Sequence, residues 1–127
     1  MKKAIFFIIL LFSINITAQK QANIWYFGEN AGLDFNSGTP VALLDGELNT
    51  IEGCATISDA NGSLLFYTDG ITVYNRNHTE MLNGTGLNGD ESSSHSAIII
   101  PKPGDTNIYY IFTVDAWGGI NGLQYSE

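Results

Sequence analysis

The chain has 127 residues, with 13 acidic and five basic side chains and a formal net charge of −8. This length supports one small domain at most. An acidic surface repels phosphate backbones, which argues against nucleic-acid binding. The hydrophobic content of 44%, rich in aromatic residues, argues against a disordered chain.

The N-terminus predicts export. Two lysines precede the unbroken apolar run Ala4–Phe12, and Ala18 is a small residue after which a signal peptidase can cut. A membrane anchor is the alternative, but a spanning helix needs about 20 apolar residues. We therefore predict a signal peptide over residues 1–18, and no stable membrane span once it is removed. Residues 19–127 then keep three basic side chains against 13 acidic ones, a formal charge of −10. That charge suits a soluble exported protein, or one that collects divalent cations.

The mature part predicts an all-β fold, because short runs of β-branched and aromatic residues alternate with Gly, Asn, Asp and Pro clusters. Turns are predicted at 59–62 and at 69–70, which makes a three-stranded meander of the strands around them. The predicted strands are 23–27, 33–35, 54–58, 64–68, 71–75, 97–100, 110–115 and 123–126.

The meander partly repeats. Ala55-Thr56-Ile57 is similar to Ala97-Ile98-Ile99, 42 residues later, and 65–69 is similar to 110–115. A period of roughly 40 with three or four short strands predicts a partial β-propeller of about two blades, and a β-sandwich stays open as the alternative. Two blades cannot close a ring, so residues 19–127 are expected to be the front of a longer protein. The expected interior residues are Ile57, Leu65, Val73, Ile99 and Ile111, and the sheet edges near Trp25 and Tyr125 are expected to be unpaired.

Two motifs suggest chemistry that their surroundings do not support. Gly84–Gly89 fits the letters of a dinucleotide-binding loop, but the acidic run after it favours a loop between blades. Ser92–Ser96 places hydroxyls beside His95, but a catalytic triad is set by geometry and needs an orienting acid. A polar loop is the preferred interpretation there, and His78 is predicted to lie in a turn.

The remaining polar signals are also weak. Cys54 is the single cysteine and is predicted to be a buried, unreactive core residue. The turn at 59–62 lacks the ligands of a calcium loop. Asn77 and Asn83 each begin a glycosylation sequon. We predict no catalytic residue, no metal site and no cofactor.

Aromatic residues offer one binding hypothesis. Trp25, Tyr26 and Phe27 stand together in a predicted strand, and Trp117 lies near the C-terminus. An exposed coplanar pair among Trp25, Tyr26 and Trp117 would indicate a carbohydrate-binding surface. Packing between sheets is the preferred interpretation of these side chains.

Several segments together resemble the N-terminal region of large exported proteins of the Bacteroidetes and flavobacteria. The segments are 23–35, 52–59, 64–70, 96–104 and 108–115. In that family a propeller-like region follows the signal peptide, and a type IX secretion sorting domain of the gliding-motility-associated kind stands at the far C-terminus. The resemblance implies a secreted or cell-surface protein and carries no catalytic residues.

The sequence thus predicts a non-enzymatic binding or display platform whose partner is a surface protein or a polysaccharide. Two alternatives remain at this point. One is an exported propeller hydrolase whose catalytic groups lie in further blades, and the other is a carbohydrate-binding module. Fold alone does not choose among them.

Overall fold

The computed structural model describes residues 19–127, and the predicted signal peptide lies outside them. The described part is all-β, as expected, with three antiparallel sheets. The first sheet is β1 (Ile24–Tyr26), β2 (Gly32–Asp34) and β3 (Val41–Leu43). The second is β4 (Ala55–Ser58), β5 (Leu64–Thr68), β6 (Thr72–Asn75) and β7 (Glu80–Thr85). The third is β8 (Ala97–Pro101), β9 (Tyr109–Val114) and β10 (Leu123–Ser126).

Every sheet is a meander in which strands adjacent in sequence pair with each other. The predicted turn after β4 is confirmed: the Asp59 carboxylate accepts the backbone N–H groups of Asn61 and Ser63 at 2.8 and 3.0 Å. Those two donors hold the pKa of Asp59 below its usual value. Because this carboxylate is engaged by its own turn, the segment is a hairpin connection.

The structure has three sheets, whereas the sequence predicted two blade-like units. The prediction missed two strands, β3 and β7. β3 has only three residues and follows the turn-forming segment 37–40. β7 contains Asn83 and Gly84, which are typical of turns, and it pairs irregularly with β6. Cross-strand pairing therefore defines both strands where local propensity does not.

The sheets stack, and each of the two interfaces has its own core. The first core lies between the first and second sheets and consists of Ile24, Tyr26, Leu48, Leu64 and Tyr67. The second core lies between the second and third sheets and consists of Ile57, Phe66, Val73, Ala97 and Ile111. The predicted burial of Ile57, Val73 and Ile111 is confirmed, whereas Leu65 and Ile99 are only partly buried against the second core. The second sheet is thus covered on both faces.

The 42-residue match between β4 and β8 is not a repeat of the packing. Ile57 faces the third sheet, and its proposed equivalent Ile99 faces back toward the second. Because side chains alternate along a strand, a shift by one residue moves every side chain to the opposite face. With an offset of 41 or 43 residues, the aligned side chains of β4 and β8 would face the same direction along the stack.

The predicted free edges are present in the described part of the chain. β1, which carries Trp25, has β2 as its only strand partner, and β10, which carries Tyr125, has only β9. The backbone N–H of Tyr26 donates instead to the Thr56 hydroxyl of β4 at 2.9 Å. β1 is therefore fastened to the second sheet through a side chain.

Candidate functional site

Four polar side chains form a continuous chain of contacts at the first interface, made of two side-chain hydrogen bonds and one longer contact between a carboxylate and an imidazole. The Tyr26 hydroxyl donates to one carboxylate oxygen of Asp45 at 2.8 Å. The other oxygen of Asp45 lies 3.4 Å from Nε2 of His78. Nδ1 of His78 lies 3.0 Å from the hydroxyl of Tyr67, which accepts the backbone N–H of Glu47 at 3.1 Å. The chain joins β1, the loop after β3, β5 and the turn after β6.

The Tyr67 hydroxyl links two neighbours. It accepts the backbone N–H of Glu47, and it is hydrogen-bonded to Nδ1 of His78, with the donor set by the tautomer of the imidazole. Nε2 of the same ring faces the Asp45 carboxylate.

The two tyrosines of this chain also stack. The rings of Tyr26 and Tyr67 lie 4.5 Å apart at 23°, and Tyr74 continues the stack 5.5 Å from Tyr67 at 20°. The backbone at Gly32 and Gly46 presses so closely on the Tyr26 ring that a Cβ at either position would lie within 3 Å of it. Burial, together with the hydrogen bond to Asp45, raises the pKa of Tyr26, and burial is the main cause of the raised pKa of Tyr67.

Asp45, His78 and the Tyr67 hydroxyl contact one another in the order carboxylate, imidazole, hydroxyl, which is the order of a nucleophilic triad. The burial of the hydroxyl, however, indicates a structural role. Tyr67 is completely buried, so no substrate reaches its hydroxyl. The side chain of Asp45 is 59% exposed and that of His78 21% exposed. The arrangement is a clip between two sheets, and we call these four residues the Tyr–Asp–His clip.

His78 lies in a turn, as predicted, and its backbone has a φ of +60°. The Asn75 side chain shapes the turn by accepting the N–H of Asn77 at 2.7 Å. Sequence reasoning missed the role of His78 in the clip, because its partner Asp45 is distant in the chain and lies in a segment without a strand pattern. The one available signal was an imidazole in a turn beside strands rich in tyrosine.

The serine–histidine segment is a polar loop, as predicted. His95 is exposed, and the Ser94 hydroxyl donates to Glu52 at 2.8 Å. Ser96, by contrast, is fully buried, and its hydroxyl accepts the N–H of Asp90 at 3.1 Å. A Cβ on Gly70 or Gly89 would lie 2.2 or 2.5 Å from that hydroxyl. The loop predicted at Gly84–Gly89 is correct only in part, because Gly84 and Thr85 end β7 and the connection to the third sheet begins after them. Its last glycine, Gly89, allows close packing against Ser96.

Cys54 is half-buried rather than buried, which corrects the sequence prediction. It precedes β4 instead of lying within it, and it packs against the edge of the first core. Burial, with a smaller contribution from the charge of Asp69, raises the pKa of the thiol. A raised pKa keeps the group in its less reactive thiol form at neutral pH.

The proposed carbohydrate residues do not form one surface. Tyr26 is only 3% exposed and stacks inward on Tyr67. Trp25 is half-exposed on the first sheet, where it packs against Phe27 and Phe35 at 88° and 55°. Trp117 stands fully exposed in the loop after β9. No coplanar exposed pair joins Trp25 and Tyr26.

A cavity of about 590 Å³ opens between β7 of the second sheet and β9–β10 of the third. Its lining is mostly apolar and includes Leu65, Phe66, Met81, Leu87, Tyr109 and Ile111. The polar exceptions are Asn83, Asn107, Ser126 and Glu127. An interior of this kind accepts apolar groups and offers few directional partners.

Among residues 19–127, no three His, Cys, Asp or Glu side chains are grouped so as to hold a metal ion. The same part of the chain contains no helix long and apolar enough to cross a membrane. Comparisons with known protein families, with curated proteins and with solved structures find no match to this chain.

Proposed function

We propose that the chain is an exported, non-enzymatic platform for binding or display at a cell surface, built from consecutive blades of a β-propeller. The resemblance to exported Bacteroidetes proteins supplies the setting, which is adhesion or gliding at the outer surface. The N-terminal sequence supports export, since it has the charge and apolar order of a signal peptide.

The observation that carries the proposal is the second sheet. It is a four-stranded antiparallel meander with an apolar core on each face. A solvated antiparallel sheet shows a polar outer face, whereas a propeller blade packs against a neighbour on both sides. Three meanders stacked in chain order fit consecutive blades.

The polar chemistry of the described residues supports a platform over an enzyme. His78, the histidine with a carboxylate partner, belongs to the Tyr–Asp–His clip, in which Tyr67 is fully buried. The other histidine, His95, is exposed in a polar loop. These groups fasten sheets and shape turns.

Export is tested with a tagged chain expressed in a gliding bacterium. The mature protein should begin at or near Gln19 and be accessible to antibody on intact cells. A variant lacking residues 2–12 should stay inside the cell. Retention of Met1 on membrane-bound material would contradict the export part of the proposal.

Binding is measured by adding residues 19–127 to intact cells and to isolated surface polysaccharide. Saturable binding without release of sugar or peptide products is expected. His78→Gln should leave the affinity unchanged, since the imidazole contacts Asp45 and Tyr67 between the two sheets. Product release that disappears in His78→Gln would show an enzyme instead.

A further inference from the structure

The cavity between the second and third sheets has an apolar floor and a polar mouth. Its volume of about 590 Å³ is typical of sites that bind small molecules. The floor includes Phe66, Val73 and Ile111, each at most 9% exposed. The polar lining residues are all exposed and therefore lie at the opening; they are Asn83, Asn107, Ser126 and Glu127. A molecule that enters this cavity meets polar groups first and apolar groups further in.

The floor is suited to hydrocarbon. A buried water needs about two to four polar partners, and the floor offers apolar side chains instead. Its two aromatic rings, Phe66 and Tyr109, already contact each other edge to face, with centroids 5.4 Å apart at 81°. The rest of the apolar lining is aliphatic apart from Met81. An aliphatic chain that displaces water from this floor therefore gains the free energy of apolar burial.

The mouth favours a ligand without charge. Among the lining residues that the structure describes, Glu127 is the only charged one, and the Lys102 ammonium already donates a hydrogen bond to its carboxylate. An anionic ligand would be repelled by Glu127, and a cationic one would compete with Lys102 for it. The amides of Asn83 and Asn107 and the hydroxyl of Ser126 both donate and accept hydrogen bonds. These groups suit a hydroxyl or amide end group.

We propose that this cavity binds one molecule of an uncharged amphiphile, an aliphatic chain that ends in a hydroxyl or an amide. The chain lies against Phe66, Val73 and Ile111, and the polar end lies at Asn83 and Asn107. β7 is the edge strand of the second sheet and forms one wall, so the ligand enters from solvent. This small-molecule site is separate from the cell-surface function proposed above and does not depend on it.

Ligands that share a chain and differ in charge test the proposal on the unaltered protein. The neutral fluorescent probe N-phenylnaphthylamine should bind the purified protein with saturation at one molecule per chain, and decanol should displace it. Decanoate and decylammonium carry a charged end on a similar chain and should bind at least about tenfold more weakly than decanol at neutral pH. If either ion binds as tightly as the alcohol, or if the probe does not saturate, the proposal is wrong.

Two neighbouring residues of β10 locate the site. Ser126 lines the mouth, whereas Tyr125 points to the opposite face of the third sheet. Ser126→Phe narrows the mouth and should weaken decanol binding at least about tenfold, and Tyr125→Thr should leave it unchanged. Ser63→Phe adds the same ring at an exposed serine in the turn after β4 and is the matched control.

Circular dichroism must show that each variant keeps its β-sheet content. A folded Ser126→Phe variant that binds decanol as tightly as the parent would overturn the proposal. Loss of binding in Tyr125→Thr alone would assign the ligand to the outer face of the third sheet and overturn it as well. Binding to neutral phosphatidylcholine vesicles that decanol does not compete would show a membrane-binding surface in place of a site for a single molecule.

Discussion

The two interfaces between the sheets are held together by different kinds of contact. The first sheet meets the second through stacked tyrosines and the Tyr–Asp–His clip, in which each polar atom has a defined partner. The second sheet meets the third through aliphatic and aromatic contacts beside a cavity of about 590 Å³. Hydrogen bonds and ring stacking fix one orientation, whereas apolar contact tolerates several. The first interface is the more specific one.

The largest effect is expected from truncating one core residue on each side of the second sheet. Tyr67→Ala removes a fully buried ring and orphans the partners of its hydroxyl, so it should cost about 3–5 kcal/mol. Phe66, the preceding residue of β5, faces the other interface and lines the cavity. Phe66→Ala should therefore lower the free energy of unfolding by clearly less, because fewer atoms surround this ring. Urea denaturation measures both. Equal losses would show that the interfaces are equally well packed.

The glycines around Ser96 test how closely the third sheet is joined to the second. Gly70 has a φ of +90° and no room for a Cβ, so Gly70→Ala should cost more than about 2 kcal/mol. Gly86 has a φ of +76° in open space and is the matched control, with strain alone of about 1 kcal/mol. The difference in thermal midpoint between the two variants measures the clash of the new Cβ with Ser96, separately from backbone strain. Identical midpoints would contradict the close packing of Gly70 against Ser96.

The hydroxyl of Tyr67 isolates the polar part of the first interface. Tyr67→Phe keeps the ring stack but leaves the Glu47 N–H and the His78 ring nitrogen without their partner, at a cost of about 1–3 kcal/mol. Tyr74→Phe keeps the same stack and lies outside the clip, so it should cost little. If both variants unfold at the same urea concentration, the clip contributes no stability.

Alkaline pH should loosen the first interface selectively. The pKa values of Tyr26, Tyr67 and Tyr74 are raised from the ordinary value of 10.0, chiefly by burial. Their contribution is therefore complete below pH 10 and is lost as the pH rises toward the folded-state values, because the unfolded chain releases these protons first. Tyrosinate absorbance should rise cooperatively with unfolding. Titration of all tyrosines near pH 10 in a folded chain would refute this.

The smallest effect is expected at Cys54. Its half-buried thiol has a raised pKa, so native protein should react slowly with a thiol reagent and unfolded protein quickly. Cys54→Ala should cost about 1 kcal/mol, a typical value for a point mutant. Labelling at equal rates before and after denaturation would show that the thiol is open to solvent.

Sequence reasoning recovered the features that local chemistry encodes. Strands with β-branched and aromatic residues, and the Asp59 turn with its glycine at positive φ, follow from propensity. β3 and β7 were missed because pairing with a neighbour, and not their own residues, makes them strands.

The remaining errors concern what local patterns cannot encode. The 42-residue match was wrong in packing, since similar letters in β4 and β8 do not report which face a side chain takes. The clip escaped detection because His78 finds Asp45 and Tyr67 only through the stacking of two sheets.

The central proposal is that the described sheets are consecutive members of a longer stack; in the structure the second sheet is covered on both faces. Hydrogen–deuterium exchange of residues 19–127, at concentrations where the chain is monomeric, tests it most directly. The amides of β5 should exchange slowest, since this strand is central and covered on both faces, and those of β10 fastest among the strands. Equal protection of β5 and β10 in a cooperatively unfolding monomer would contradict the claim and indicate a self-contained β-sandwich.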